Sequence, residues 1–323
     1  MSGDLGIAAA LPVEETGRST SVSAGWDARP KASLPMLLRL HLTYLWRHKR
    51  LLSLTAPRLF TELVQQRKLV DRDPRMPGLI DKLTVKRFVS DMLGPDWVTP
   101  TLWSGDILPT TPPCSYPFVV KSRHGCKQLR VVCSQADDWA MVRRAAASWM
   151  RRSYGDWLDE WGYRDVPRGV LIEPFVGVAP VLPIDYKLYV FHGRVAVIQV
   201  HSDRATNHRW TVFDRRWRRL SGDGLGEDMP PPMALDRMIE GAEALASGFD
   251  FVRIDFYDVG RVPRFGEMTF YPGSGLDPFD PFSLDVSLGQ CWLTGAPFTG
   301  APVASGPASR PVYEAPSMPF GIS

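Results

Sequence analysis

FDFVRIDFYDVGRVPRFGEMTFYPGSG, residues 249–275, is the stretch whose reading decides the fold. Two runs rich in aromatic and β-branched residues, 249–257 and 264–271, flank the turn-rich segment 258–263, the pattern of a β-hairpin. Side chains alternate between faces along a strand. Arg253 and Asp255 therefore share one face of the first run, and Glu267 and Thr269 share one face of the second. If the two faces coincide, an arginine, two carboxylates and a hydroxyl converge among apolar neighbours such as Ile254, Phe256 and Met268. Buried carboxylates have to be paired with cations or bound to metal. Magnesium is the hard cation that accepts one or two carboxylates and completes its octahedron with phosphate oxygens and water. The loop Tyr271–Gly275 offers backbone that can come close to a phosphate. A partly solvated arginine–carboxylate network on an ordinary hairpin has the same local pattern, so the surrounding sequence has to discriminate.

Upstream, Asp185–Val200 reads as a second hairpin turning at His192-Gly193-Arg194, with Asp185 and Lys187 pointing the same way. Gly169–Val176 is a buried strand interrupted by Glu173 and Pro174; proline cannot donate to a central ladder, so the strand ends or crosses a lobe boundary there. Tyr116–Lys121 is an apolar strand ending on a lysine, followed by the small loop Ser122–Lys127. That combination suits phosphate, the lysine as a point charge and the loop as a source of N–H donors, although a strand-end lysine can also be simply exposed. Helical periodicity covers Ala56–Gly94, with a hinge at Asp73–Gly78. There Lys82 and Lys86, four apart, form either a solvated stripe or a pair of which one reaches a triphosphate. Further helices are expected over Ala136–Trp161 and Met229–Gly248, and a short strand pair over Trp210–Arg219.

The 323 residues, 44% hydrophobic and 23% charged, are those of a globular chain with one large domain or two to three lobes. A net charge of +3 does not suggest nucleic acid as a partner. Cys114, Cys126, Cys133 and Cys291 have neither CxxC nor any regular spacing, which points to neither zinc nor disulfides but to a reduced, cytoplasmic chain. There is no Gly-x-Ser-x-Gly elbow and no HExxH. Residues 1–33 read as a disordered leader, with Asp4, Glu14 and Glu15 arguing against a signal peptide, and 296–323 read as a flexible Pro/Ser/Gly tail. The apolar run Leu34–Trp46 is too short to span a bilayer. Followed by Arg47–Arg50, it reads as a core or lid helix, the alternative being a helix that lies on an anionic membrane.

This succession resembles the ATP-grasp superfamily, and closely resembles its TupA-like branch, named for teichuronopeptide biosynthesis. The matching stretches run from about Ala56 to Trp292 and are strongest at Asp81-Lys82, Phe118–Lys121, Ile184–Gly193 and Phe251–Gly275. The resemblance implies an α+β fold in which two α+β lobes, 96–178 and 179–295, sandwich the nucleotide behind an N-terminal helical region, 34–95. It implies ATP and Mg2+ as cofactors. Lys82 would lie near the nucleotide phosphates, with Lys86 a weaker candidate, and Lys121 would bridge the α- and β-phosphates. Glu173 to Val176 would form the hinge that reads adenine, with Glu173 at the ribose. Lys187 would stand near the transferred phosphate, and Arg253 would stabilise the acyl phosphate. Asp255 and Glu267 would hold magnesium, joined by Thr269, which stands where many ATP-grasp ligases carry asparagine. The implied activity is carboxylate–amine ligation through an acyl phosphate, in cell-surface polysaccharide or glycopeptide biosynthesis, joining an amino acid or small amine to a small-molecule carboxylate such as a uronic acid. Two alternatives remain: a phosphotransferase acting on a sugar or small acceptor, and a catalytically weak nucleotide-binding scaffold. For the scaffold, the 34–50 helix would be the contact with membrane or assembly partner.

Overall fold

The computed structural model describes residues 32–151, 154–202, 209–221, 229–259 and 262–300; the leader before residue 32 and the tail beyond 300 lie outside them. Two antiparallel sheets organise these residues. The first contains β1 (Trp103–Gly105), β2 (Phe118–Ser122), β3 (Leu129–Val132) and β4 (Val170–Pro174) in the order β1-β4-β2-β3. Phe118, Val120 and Ile172 form its core with Val142, Ala146 and Trp149 of α5 (Trp139–Trp149). The second contains β5 (Asp185–Phe191), β6 (Arg194–Ser202), β7 (Arg209–Asp214), β8 (Phe251–Val259) and β9 (Val262–Thr269) in the order β7-β6-β5-β8-β9.

Period-two alternation explains what covers each face of the larger sheet. On one face, Tyr189, Phe191 and Phe251 close around Phe60 of α2 (Phe60–Val70), which also touches Trp292 of α7 (Ser283–Thr294). On the other, Phe256 meets Trp97, against which Gly241 of α6 (Leu235–Leu245) packs. The residues that continue the Phe60 face along β5 and β8 are Lys187, Asp185, Arg253 and Asp255. The polar cluster is thus the buried continuation of a face whose other end is aromatic core.

β5 and β6 turn through His192 and Gly193, both left-handed (φ 47° and 74°), the backbone of a type I′ hairpin. Between β8 and β9 the register shifts: Phe256 pairs with Phe265 but Asp255 pairs with Glu267, leaving Gly266 as the extra residue of a β-bulge.

Several elements differ from the sequence expectation. The helix expected over Ala136–Trp161 is only α5, which begins where Asp138 accepts the Met141 amide at 3.0 Å; turns follow it, with Gly155 at φ 82°. The helix expected from Met229 begins at Leu235, because Pro230–Pro232 cannot supply its amide donors. The expected hinge at Asp73–Gly78 already contains the start of α3 (Met76–Ile80), with Pro77 in its first turn, before α4 (Val85–Leu93). α1 (Leu34–His48) turns Leu40 and Tyr44 into a small core with Leu52, and leaves Leu34, Leu38, Leu42 and Leu45 exposed. Among the described residues no helix is long and apolar enough to cross a membrane.

Candidate active site

The floor of the site is built on β5, β8 and β9. Strand pairing sets Lys187 opposite Asp255, Asp255 opposite Glu267, and Arg253 opposite Thr269. Arg253 grips Asp255 side-on, with Nε to Oδ1 and Nη2 to Oδ2 both at 2.7 Å. Its Nη2 also donates to Glu267 Oε1 at 2.9 Å and to the Thr269 hydroxyl at 3.1 Å. Thr269 in turn donates to Glu267 Oε1 at 2.9 Å. The Lys187 ammonium lies 2.6 Å from Asp185 and 2.5 Å from Asp255. All of these groups are buried except the Glu267 side chain, which is 31% exposed. Burial and Arg253 push the Lys187 ammonium down, but Asp185, Asp255 and Glu267 more than reverse this and hold it above the ordinary lysine value. Burial likewise opposes the charge on Arg253, and Asp255, Tyr189 and Glu267 outweigh it.

The facing wall comes from the smaller sheet and α4. Glu173, on β4, is 5% exposed and takes a lysine on each oxygen: Lys121 of β2 at 2.6 Å, and Lys86 of α4. Lys86 also donates to Thr101 at 2.7 Å. Burial would raise the Glu173 carboxyl, and the two ammonium groups bring it below the usual range. Lys121 sits above its ordinary value because Glu173, Tyr257 and Glu267 overcome its desolvation. Glu267 belongs to β9, so the ammonium on one sheet is within electrostatic reach of the carboxylate on the other. Lys82 bonds the Gly125 carbonyl and so ties α4's approach to the glycine loop. Asp81 accepts Arg123 bidentately, both contacts at 2.6 Å. His124 is buried structure under that loop, its Nε2 3.1 Å from the Trp149 carbonyl oxygen. At the end of β4 a cleft of about 280 Å³ opens, lined by Phe175, Val176 and Gly177 on one side and by Val259 and Arg264 on the other.

The structure therefore brings Arg253, Lys187, Asp255, Glu267 and Thr269 into one contact network, and Lys121, Lys86 and Glu173 into a second one facing it. Of the two lysines on the helical segment, Lys86 shares Glu173 with Lys121, while Lys82 belongs to the loop. Val176 stands apart, in the cleft. Glu173 takes a lysine on each carboxylate oxygen, so in this structure it is a counter-ion to both.

The donor set fits a magnesium ion. Asp255, Glu267 and Thr269, two carboxylates and a hydroxyl on adjacent strands, are hard oxygen donors. Among the described residues no group of three or more His, Cys, Asp or Glu is arranged to hold a metal by itself.

Sequence reasoning missed a second polar cluster below the Tyr271–Gly275 loop. Lys68 of α2, 1% exposed, donates to Gln65 Oε1 at 3.0 Å, to the Ser274 carbonyl at 2.9 Å and to the Ser274 hydroxyl at 2.7 Å. Ser274 is left-handed (φ 56°), and Glu160 lies beside it. A lysine in a helix otherwise turned inward was the available signal, but apart from Gln65 its partners, Ser274 and Glu160, lie far away in sequence.

The family model described as TupA-like ATPgrasp matches residues 62–293. Among solved structures, D-alanine–D-alanine ligase from Bacillus anthracis complexed with ATP is similar at 14% identity and a TM-score of 0.37, over 60% of this chain and 54% of that one. The ATP-grasp ligase PsnB with minimal precursor, Mg and ADP is similar at 12% identity and 0.37, over 68% and 60%. VanG D-Ala:D-Ser ligase from Enterococcus faecalis is similar at 13% identity and 0.39, over 67% and 60%. The chain thus spans little more than half the length of the first of these. No curated protein sequence matches it.

Proposed function

This chain belongs to the TupA-like ATP-grasp family, and we propose that it is an ATP-dependent carboxylate–amine ligase. The observation that carries the reading is the pairing of Asp255 with Glu267 under Arg253, facing the Lys121–Glu173–Lys86 cluster. In the proposed reaction a substrate carboxylate oxygen attacks the γ-phosphorus of ATP and the bond to the β-phosphate oxygen breaks, giving an acyl phosphate and ADP. An amine nitrogen then attacks the acyl carbon; the carbon–oxygen bond to phosphate breaks, inorganic phosphate leaves, and the amine loses a proton to solvent. Such transfers need positioning and charge neutralisation more than acid–base work, which agrees with a site of lysines, an arginine and carboxylates.

In this reading Lys121 and Lys86 hold nucleotide phosphates, exchanging part of their contact with Glu173 for phosphate oxygens. The Phe175–Gly177 backbone and Val176 side chain line the adenine cleft. Lys187 and Arg253 face the transferred phosphate and the charge that develops there. Asp255, Glu267 and Thr269 would hold magnesium, with the more open Glu267 as the principal ligand; when bound, the ion neutralises charge on phosphate oxygens. The substrates we assign by class are a sugar-borne carboxylate such as a uronic acid, and an amino acid or small amine, for cell-surface polysaccharide or glycopeptide synthesis in the cytoplasm.

The test measures ADP and phosphate release over a panel of carboxylates and amines. Turnover that requires one of each, with amide, ADP and phosphate in equal amounts, is the expected result. ADP release with a single hydroxyl acceptor would make the protein a phosphotransferase. Tight Mg·ATP binding without turnover on any pair would make it a scaffold.

A further inference from the structure

We propose that the outward face of α1 docks on an anionic phospholipid surface. An amphipathic helix of a globular chain turns its apolar stripe inward. α1 does that with Leu40 and Tyr44, but also carries a second apolar stripe outward. Leu34, Leu38, Leu42, Leu45 and Trp46 are 78%, 55%, 55%, 41% and 45% exposed, and of the exposed residues on this helix only His41 is polar. The stripe continues past the helix end into Leu51, 81% exposed. Spacings of four, four, three and one keep these side chains on one side over four turns.

The inward face is well fastened. Tyr44 meets the Thr61 hydroxyl at 3.0 Å, His48 Nε2 the Gly275 carbonyl oxygen at 3.0 Å, and Arg47 Nε the Leu276 carbonyl at 3.0 Å. Arg39 pairs with Asp159, and its guanidinium lies over Trp157, itself 56% exposed. The helix is therefore held on the body of the protein with its leucines outward, and it grips the chain just beyond the Tyr271–Gly275 loop.

Charge selects the occupant. Residues 34–51 hold no carboxylate; Arg39, Arg47 and Arg50 are paired with Asp159, Asp277 and Asp285 and His48 is buried, while Lys49, at the Trp46 end, and His41 stand exposed among the leucines. Leucines flanked by an interfacial tryptophan and an exposed lysine suit the headgroup boundary of an anionic bilayer. A second copy of the chain fits poorly. A 15-residue helix presents a stripe roughly 22 Å by 10 Å, far short of the roughly 800 Å² per partner of a stable interface. Paired copies would also set His41 and Lys49 against leucine or against each other.

The test is co-sedimentation of the full chain with vesicles rich in phosphatidylglycerol and with pure phosphatidylcholine vesicles. The expected result is binding to the first, weakened by high salt, and little to the second. Leu38→Glu/Leu42→Glu should lower the partition coefficient by about tenfold or more, with the Mg·ATP thermal shift unchanged. Vesicle binding that is absent, or unaffected by the double variant, overturns the proposal. A monomer–dimer equilibrium abolished by the same substitutions would overturn it in favour of a second copy. Binding that appears only when residues 1–31 are removed would overturn it in favour of the leader. None of these readouts depends on ligase activity, so each stands apart from the reaction assigned above.

Discussion

Asp255 and Glu267 stand directly opposite one another across the β8–β9 ladder, and a single Arg253 nitrogen, Nη2, donates to both at 2.7 and 2.9 Å. The two carboxylates are nevertheless unequal. The Asp255 side chain is 2% exposed and sits between Arg253 and Lys187; that of Glu267 is 31% exposed and opens toward the facing lobe.

That inequality separates two substitutions. Asp255→Asn leaves two buried cations short of a counter-charge and should cost roughly 3–5 kcal/mol of stability. Glu267→Gln should change stability by less than about 1 kcal/mol, yet lower ATP turnover on the order of a thousandfold or more. Urea denaturation and ADP release measured on both variants check this. Ligation surviving in Glu267→Gln would remove the metal assignment.

Lys121→Met should abolish the thermal shift produced by Mg·ATP. It also leaves Glu173 with one lysine instead of two, at a cost of about 2 kcal/mol. The double variant Lys121→Met/Glu173→Gln removes the charge along with its partner, and should regain stability without regaining nucleotide binding. Recovery of both together would reduce the Lys121–Glu173 pair to a structural one.

The Lys68–Glu160 cluster predicts a pH dependence of stability. Burial lowers Lys68 to about 8, with Glu160 and Asp159 opposing, and burial raises Glu160 to about 7 against Lys68 and a Ser274 hydrogen bond. A raised carboxyl contributes stability that is complete below its unfolded value, near 4.3, and is lost as pH rises through 7. A lowered lysine contributes stability that is complete above its unfolded value, near 10.4, and is lost as pH falls through 8. Stability should therefore dip between about pH 7 and 8, relative to a Lys68→Met/Glu160→Gln variant, whose profile loses the dip. Melting temperatures across pH 4.5 to 10 test it; parallel profiles for the two proteins would rule it out.

Gly289 of α7 lies against the backbone of Arg58 and Leu59, where a Cβ would meet the Arg58 carbonyl oxygen and come within 2.9 Å of the Leu59 carbonyl carbon. Backbone cannot swing aside as a side chain does. Gly289→Ala should cost about 3 kcal/mol, read by chemical denaturation. An unchanged midpoint would mean that α7 can shift away from the residues that lead into α2.

The sequence by itself determined the α+β class, the two principal hairpins and the residue types of the site, because alternation, turn chemistry and a glycine loop after a strand-end lysine are local signals. α5 and α6 are shorter than their apolar periodicity suggests: α5 ends at Trp149, ahead of the left-handed Gly155, and a run of prolines delays the start of α6. Whether Glu267 joins Asp255 was beyond local reading. Counted back from the Val259–Val262 turn without interruption, the register would set Gly266 opposite Asp255 and turn Glu267 to the far face; the bulge at Gly266 shifts it by one and brings the second carboxylate across. Likewise, only the packed chain placed Lys86 on Glu173, Lys68 on Ser274, and the leucines of α1 on the outside. A strand's period is written into neighbouring residues, whereas the partner of a buried charge and the side of a helix that is covered depend on chain segments far away in sequence.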